Sequence, residues 1–111
     1  WKAELVHNFT IIFWLQSYKA QVGYIARSKY NKKPVKGDVR VEVNIYLRGG
    51  VQGDIDNYFK AITDSLNDIV YEDDRQVKEM QARKIDCESK DEERVEVAVY
   101  ELRGWWKEWV I

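Results

Sequence analysis

The sequence predicts an α+β fold in which helices pack against one mixed β-sheet. Two segments, residues 39–47 and 94–102, alternate apolar and polar residues as half-buried strands do. Between them, residues from Asp56 onward carry apolar side chains at helical spacing. The 111 residues are enough for one hydrophobic core but not for two. We therefore expect a single domain over residues 1–111, with the order β-α-β-α-β-β and a tryptophan-rich extension at 103–111.

The first half of the chain supplies the elements that lead into the centre of the sheet. Residues 8–15, "NFTIIFWL", are β-branched and aromatic and predict a strand. Residues 17–30 begin at Ser17, a suitable helix N-cap, and place apolar side chains on one stripe, which predicts an amphipathic helix. Residues 31–38 contain the only proline and predict a loop before the alternating strand.

The second half begins with a turn-rich loop at residues 48–54. The helix that follows buries a stripe at intervals of three and four residues, namely Phe59, Ile62, Leu66 and Ile69. Residues 75–86 predict a third strand, residues 88–92 a charged turn, and residues 94–102 the last strand, with Val95, Val97 and Val99 facing inward.

Composition excludes several classes of protein and of site. No apolar run approaches the roughly 20 residues of a membrane span, and no signal-peptide pattern is visible, so we expect a cytoplasmic protein. The single Cys87 allows no intramolecular disulfide and, with the single His7, no conventional zinc site in one chain. A nucleophilic mechanism that needs histidine would depend on His7. Any metal should be a hard cation bound by oxygen, meaning magnesium or manganese.

Charge is distributed unevenly along a chain whose net charge is only -1. Residues 19–40 contain seven lysines and arginines against Asp38, whereas residues 53–77 contain seven carboxylates against Lys60 and Arg75. One interpretation is a protein that attracts polyanions and holds a cation at its working centre. The other is an ordinary solvated helix face next to a lysine-rich loop. Charge alone leaves both open.

The acidic segment places three charged residues on one helical stripe. Asp56, Lys60 and Asp64 follow at four-residue steps, each of which advances about 40° around the axis. The helix dipole accounts for a carboxylate at the helix start. It accounts less well for the pair Asp54 and Asp56 together with a second cluster, "EDD", after the helix. Bringing Asp74 near Asp56 would require the next strand to return along the helix, or a partner chain.

Two motifs in this segment resemble the RusA family of Holliday junction resolvases, which are often carried by phages and prophages. The first, "DIDNYFKAITDSL", contains Asp-x-Asp-Asn, a lysine four residues after the second aspartate, and Asp-x-Leu. The second, "YEDDRQV", contains Asp-Asp-x-x-Val. The likeness is strong over about 30 residues and looser over residues 8–47. Ordered matches of this number are far more specific than an isolated Asp-x-Asp.

The resemblance implies a magnesium-dependent endodeoxyribonuclease that acts on four-way DNA junctions as a homodimer, in recombination and repair. Manganese would substitute for magnesium. By position, Asp54, Asp56 and Asp74 match the metal-binding carboxylates, and Lys60 matches the catalytic lysine. Asp64 would have a supporting role, and the role of Asp73 stays open. Cleavage would produce paired symmetric nicks. From the basic stretch we expect phosphate contacts, led by Lys32, Lys33 and Lys36.

Two other functions use the same residues: a magnesium-dependent nucleotide phosphohydrolase, and a DNA-binding module without turnover. Two features also depart from the family. The loop that the family carries between its first strand and first helix has no counterpart in "FTIIFWLQSYK". The C-terminal "RGWWKEWVI" is unfamiliar, and we expect Trp105 and Trp109 to pack on the core or on a dimer partner rather than to stack on bases.

Overall fold

A computed structural model describes residues 2–11, 26, 30, 32–49 and 53–103. These residues form a four-stranded mixed sheet in the order β1-β4-β2-β3. Strand β4 pairs antiparallel with both β1 and β2, whereas β2 and β3 are parallel and are connected through the helix α1. The elements are β1 (Lys2–Ile11), β2 (Val39–Arg48), α1 (Ile55–Ser65), β3 (Val77–Cys87) and β4 (Arg94–Arg103), with 3-10 turns at Asp74–Gln76 and Lys90–Glu92.

The two central strands confirm the predicted alternation. Every second residue of β2 from Val39 to Leu47 is buried, and so are Val95, Val97 and Val99 of β4. Helix α1 covers this face with Phe59 and Ile62. The α+β class with a mixed sheet is therefore confirmed, because alternating side chains bury one face of the sheet under the helix.

Strand β1 begins earlier than predicted, at Lys2 rather than at residue 8. It is an edge strand that pairs with β4 from Arg103 to Val95, and its register shifts between Leu5 and His7. The shift interrupts the alternation of side chains, so the pattern in the sequence shows only the second part of the strand. Residues 12–15 of the predicted strand lie outside the described residues.

Helix α1 ends earlier than predicted. It stops at Ser65, and the chain turns through Asp68, whose φ is 64°. Asparagine and aspartate tolerate this left-handed conformation better than most residues, and Asn67 precedes Asp68 in the turn. Ile69 is still buried, at 8% exposure, but it packs from the turn rather than from the helix.

The third strand also begins later than predicted, at Val77, because Asp74, Arg75 and Gln76 form a 3-10 turn before it. Most of the predicted first helix lies outside the described residues. Its two described residues, Ala26 and Tyr30, are buried and joined by a helical hydrogen bond of 2.8 Å from the Tyr30 amide. Most of the segment that lacks the family's loop, residues 12–19, lies outside the described residues, and so do Trp105 and Trp109. Among the helices that are described, none has the length and apolar character needed to cross a membrane.

Candidate active site

The carboxylates predicted from the sequence lie at the two ends of α1. At its start, Asp54 is the N-cap residue in an extended conformation, but its side chain makes no capping hydrogen bond. The Asp56 carboxylate accepts a hydrogen bond of 3.0 Å from the Asn57 amide. Both side chains are exposed, so they face solvent where the helix dipole favours negative charge.

The chain enters α1 through a tightly held glycine. The Gly53 amide donates to the Tyr58 hydroxyl at 3.0 Å, and the Gly53 carbonyl accepts from the Lys84 ammonium at 3.0 Å. A Cβ atom at Gly53 would approach the Tyr58 ring to 3.2 Å, so a larger residue would displace this contact. Lys84 therefore brings a positive charge to the Gly53 carbonyl, directly before Asp54 in the chain. The sequence analysis assigned Lys84 no role. The contact depends on β3 passing the start of α1, which no local pattern in the sequence shows.

At the far end of α1, three carboxyl groups form an acidic cluster, which consists of Asp64 in the last turn of the helix and of Asp73 and Asp74 after it. A hydrogen bond with Asp64, followed by partial burial and a hydrogen bond with Asp73, raises the pKa of Asp74. The pKa of Asp73 is lowered, chiefly because its carboxylate accepts a hydrogen bond of 2.8 Å from the Arg75 amide. Asp74 is thus the member of the cluster that ionises less readily than an isolated carboxyl group, because it faces two other carboxyl groups.

Two side chains, Lys60 and Tyr71, border the acidic cluster. Lys60 forms an ion pair of 3.5 Å with Asp64, although 74% of the lysine side chain remains exposed. Tyr71 is fully buried, and its hydroxyl donates a hydrogen bond of 2.6 Å to the Thr63 carbonyl. Burial, and then the nearby Asp74 and Asp64, raise the pKa of this phenol. Tyr71 thereby holds the end of α1 against the chain that leads to Asp74.

The structure brings only part of the predicted metal site together. Asp74 contacts Asp64, which lies eight residues beyond Asp56, or about 12 Å along the helix axis. Among the described residues, no group of three acidic, histidine or cysteine side chains is arranged so that it could hold a metal ion. The oxygen donors suit a hard cation, but within one chain Asp74 lies with Asp64 rather than with Asp56.

The predicted DNA-binding lysines belong to a loop that lies next to the acidic residues. We call residues 32–38 the basic loop and residues 72–76 the acidic turn. The Tyr30 hydroxyl donates to the Lys33 carbonyl at 3.1 Å, and the Val35 amide donates to the Val70 carbonyl at 2.8 Å. The three lysines of the basic loop are Lys32, Lys33 and Lys36. Their side chains are exposed, and among the residues described they pair with no acidic group.

Comparisons with known proteins agree with the motifs. The family model described as "Endodeoxyribonuclease RusA" matches residues 14–100. The uncharacterized protein YqaN of Bacillus subtilis (strain 168) is 28% identical over 106 residues, and the alignment covers 77% of this chain and 72% of that protein. No function comes from this relative. Because the family match spans well over half of the 111 residues, the chain belongs to the RusA family of endodeoxyribonucleases, which resolve Holliday junctions.

Proposed function

We propose that this protein is a magnesium-dependent endodeoxyribonuclease that cuts four-way DNA junctions by paired symmetric nicks. The observation that carries the proposal is the family match over residues 14–100, which includes every residue to which we assign a role. These residues are Asp54, Asp56 and Asp74 as metal ligands, Lys60 as the catalytic lysine, and Lys32, Lys33 and Lys36 as DNA contacts.

The acidic cluster supports a role for a cation. Three carboxyl groups lie together here, and the hydrogen bond with Asp64, burial and the hydrogen bond with Asp73 raise the pKa of Asp74, so negative charge gathers at this place. Carboxylate oxygens are the ligands that magnesium prefers. Bound magnesium would supply an activated water and would neutralise charge on the scissile phosphate. Asp54 and Asp56 are exposed at the helix start, and they would complete the ligand set where a partner chain supplies them.

Lys60 has the freedom that a phosphate-binding lysine needs. Its partner Asp64 is only 25% exposed, but 74% of the Lys60 side chain is in contact with solvent. An exposed ion pair of this kind is worth at most about 1 kcal/mol, so exchanging it for a phosphate costs little. In this proposal, Asp64 holds Lys60 near the acidic cluster before DNA binds, and the lysine then places its positive charge on the phosphate.

A homodimer is part of the proposal. A four-way junction has approximate two-fold symmetry, and its resolution needs two coordinated cuts, which suits a closed two-fold dimer. The distance between the two ends of α1 adds a second reason. A partner chain is one way to bring further carboxylates to each acidic cluster, because within the described part of one chain no three such side chains are arranged to hold a metal ion.

The test is incubation of the protein in magnesium with a synthetic four-way junction, a linear duplex of the same sequence, and nucleoside triphosphates. We expect symmetric nicks in the junction and intact linear duplex. Release of phosphate from the triphosphates, with the junction intact, would instead identify a nucleotide phosphohydrolase. Junction binding without cleavage in both magnesium and manganese would identify a DNA-binding module without turnover.

A further inference from the structure

We propose that Gln76 is a positioning residue that clamps the basic loop to the acidic turn, so that Lys36 meets DNA at a defined place beside Asp73 and Asp74. The inference rests on the proposed function. It adds a residue for which the sequence motif and the family resemblance supplied no role.

The side-chain amide of Gln76 uses its full hydrogen-bonding capacity between two segments. Its oxygen accepts hydrogen bonds from the amides of Glu72 at 2.9 Å and Asp73 at 2.8 Å. Its nitrogen donates to the carbonyls of Val35 at 2.8 Å and Gly37 at 2.7 Å. A single side chain thus joins the acidic turn to a segment about 40 residues earlier in the chain.

The position of the clamp makes Lys36 the residue that it controls. Val35 and Gly37 are the two neighbours of Lys36, and both of their carbonyls are held by Gln76. The Lys36 side chain itself stays exposed. It borders an open depression of about 380 Å³, whose other lining residues are Asp38, Glu72, Asp73, Arg75, Gln76 and Lys78.

The benefit of such a clamp is preorganisation. A lysine on an unrestrained loop loses conformational freedom when it binds a phosphate, and that loss weakens binding. Because the backbone on both sides of Lys36 is already fixed, less freedom remains to be lost. The clamp also fixes the separation between a DNA-binding charge and the carboxylates of the acidic turn.

Two variants of the clamp separate its chemistry from its charge. Gln76→Met keeps the approximate length of the side chain and removes all four hydrogen bonds. Gln76→Glu keeps the acceptor and replaces the donor with a negative charge facing two carbonyls. The matched control is Gln81→Glu, which introduces the same charge on β3. The Gln81 side chain accepts a hydrogen bond of 3.1 Å from Arg40 and is not part of the clamp.

The decisive measurement is a double-mutant cycle between Gln76 and Lys36, read as the dissociation constant for a four-way junction without divalent metal. We expect Gln76→Met to weaken binding at least about threefold, and to have less than about half of that effect when Lys36→Gln is already present. When cleavage in magnesium is measured over a range of junction concentrations, Gln76→Met should change kcat less than it changes KM. Gln81→Glu should add to Lys36→Gln without coupling.

Hydrogen exchange at the Val35 amide provides a structural readout of the same clamp. Faster exchange in Gln76→Met, together with coupling to Lys36, supports the inference. Faster exchange with strictly additive binding effects overturns it, because the clamp would then stabilise the fold without positioning Lys36. Unchanged exchange and unchanged affinity overturn it as well. Wild-type protein that binds the junction but does not cut it would refute the proposed cleavage, while the binding cycle would still decide the role of Gln76.

Discussion

Replacing Tyr71 with phenylalanine tests how the fold holds the acidic cluster in place. The Tyr71 hydroxyl is fully buried and donates a hydrogen bond of 2.6 Å to the Thr63 carbonyl near the end of α1. A typical hydrogen bond contributes about 0.5–1.5 kcal/mol net to stability. The Thr63 carbonyl also accepts from the Leu66 amide at 3.2 Å, so it does not become unsatisfied and the larger desolvation penalty does not apply.

We therefore expect Tyr71→Phe to lower the free energy of unfolding by about 1 kcal/mol. In a chain of about 100 residues this corresponds to a fall in Tm of about 4–8 °C. Thermal and urea denaturation measure the change. Cleavage by the folded protein should persist, because no proposed ligand is altered.

The matched control is Tyr100→Phe. The Tyr100 ring lies 5.8 Å from the Arg40 guanidinium, and its hydroxyl makes no hydrogen bond with the described part of the chain, so the change should cost less than about 0.5 kcal/mol. Equal stabilities of the Tyr71→Phe and wild-type proteins would refute the role given to the buried hydroxyl. A loss of more than about 3 kcal/mol in the free energy of unfolding would show that the core repacks around residue 71, and it would contradict the loss of a single hydrogen bond.

Three further predictions concern charge and assembly. Because hydrogen bonding to Asp64 and burial raise the pKa of Asp74 in the fold, stability should fall as the pH rises through that pKa and the group ionises. Without metal, Asp74→Asn should therefore have a higher Tm than the wild type at neutral pH, and the difference should shrink in acid. A lower Tm of the variant at neutral pH would contradict the raised pKa of Asp74. Asp86→Asn removes the same charge elsewhere and is the control. Neutralising the three lysines of the basic loop, Lys32, Lys33 and Lys36, should weaken binding to every DNA shape. It should also reduce the salt dependence by about one unit of slope per lost contact. An unchanged slope would show that these lysines only face solvent and do not contact DNA. Light scattering should show a dimer at micromolar concentration, and a monomer with full junction cleavage would count against the dimer.

The sequence predicts well those parts of the fold in which a regular pattern faces a single core. The alternation of β2 and β4 reports burial on one face, and the spacing of Phe59 and Ile62 reports the same core from the helix. Boundaries were harder to predict where local chemistry changes the backbone. Asp68 turns the chain at positive φ before Ile69 can extend the helix, and the shifted register near Leu5 hides the first part of β1.

The candidate site was only partly predictable for a different reason. The resemblance to the RusA motifs makes Asp54, Asp56 and Asp74 candidate ligands, but the closeness of Asp64 to Asp74 depends on how the chain folds back after α1. The clamp by Gln76 spans 41 residues to Val35. A hydrogen bond between such distant segments leaves no periodic signal, so no pattern in a single sequence indicates it.

Asp56→Asn provides the most direct test of the central claim, which is that the carboxylates of this chain support metal-dependent cleavage of DNA. The substitution keeps the shape of the exposed side chain and removes one negative charge. In magnesium, junction cleavage should fall at least about 100-fold, whereas junction binding should persist because phosphate contacts elsewhere dominate affinity. If Asp56 only complements the helix dipole, the change costs only about 0.3–1 kcal/mol of stability. Near-normal junction cleavage by the folded Asp56→Asn variant would contradict the assignment of Asp56 as a metal ligand.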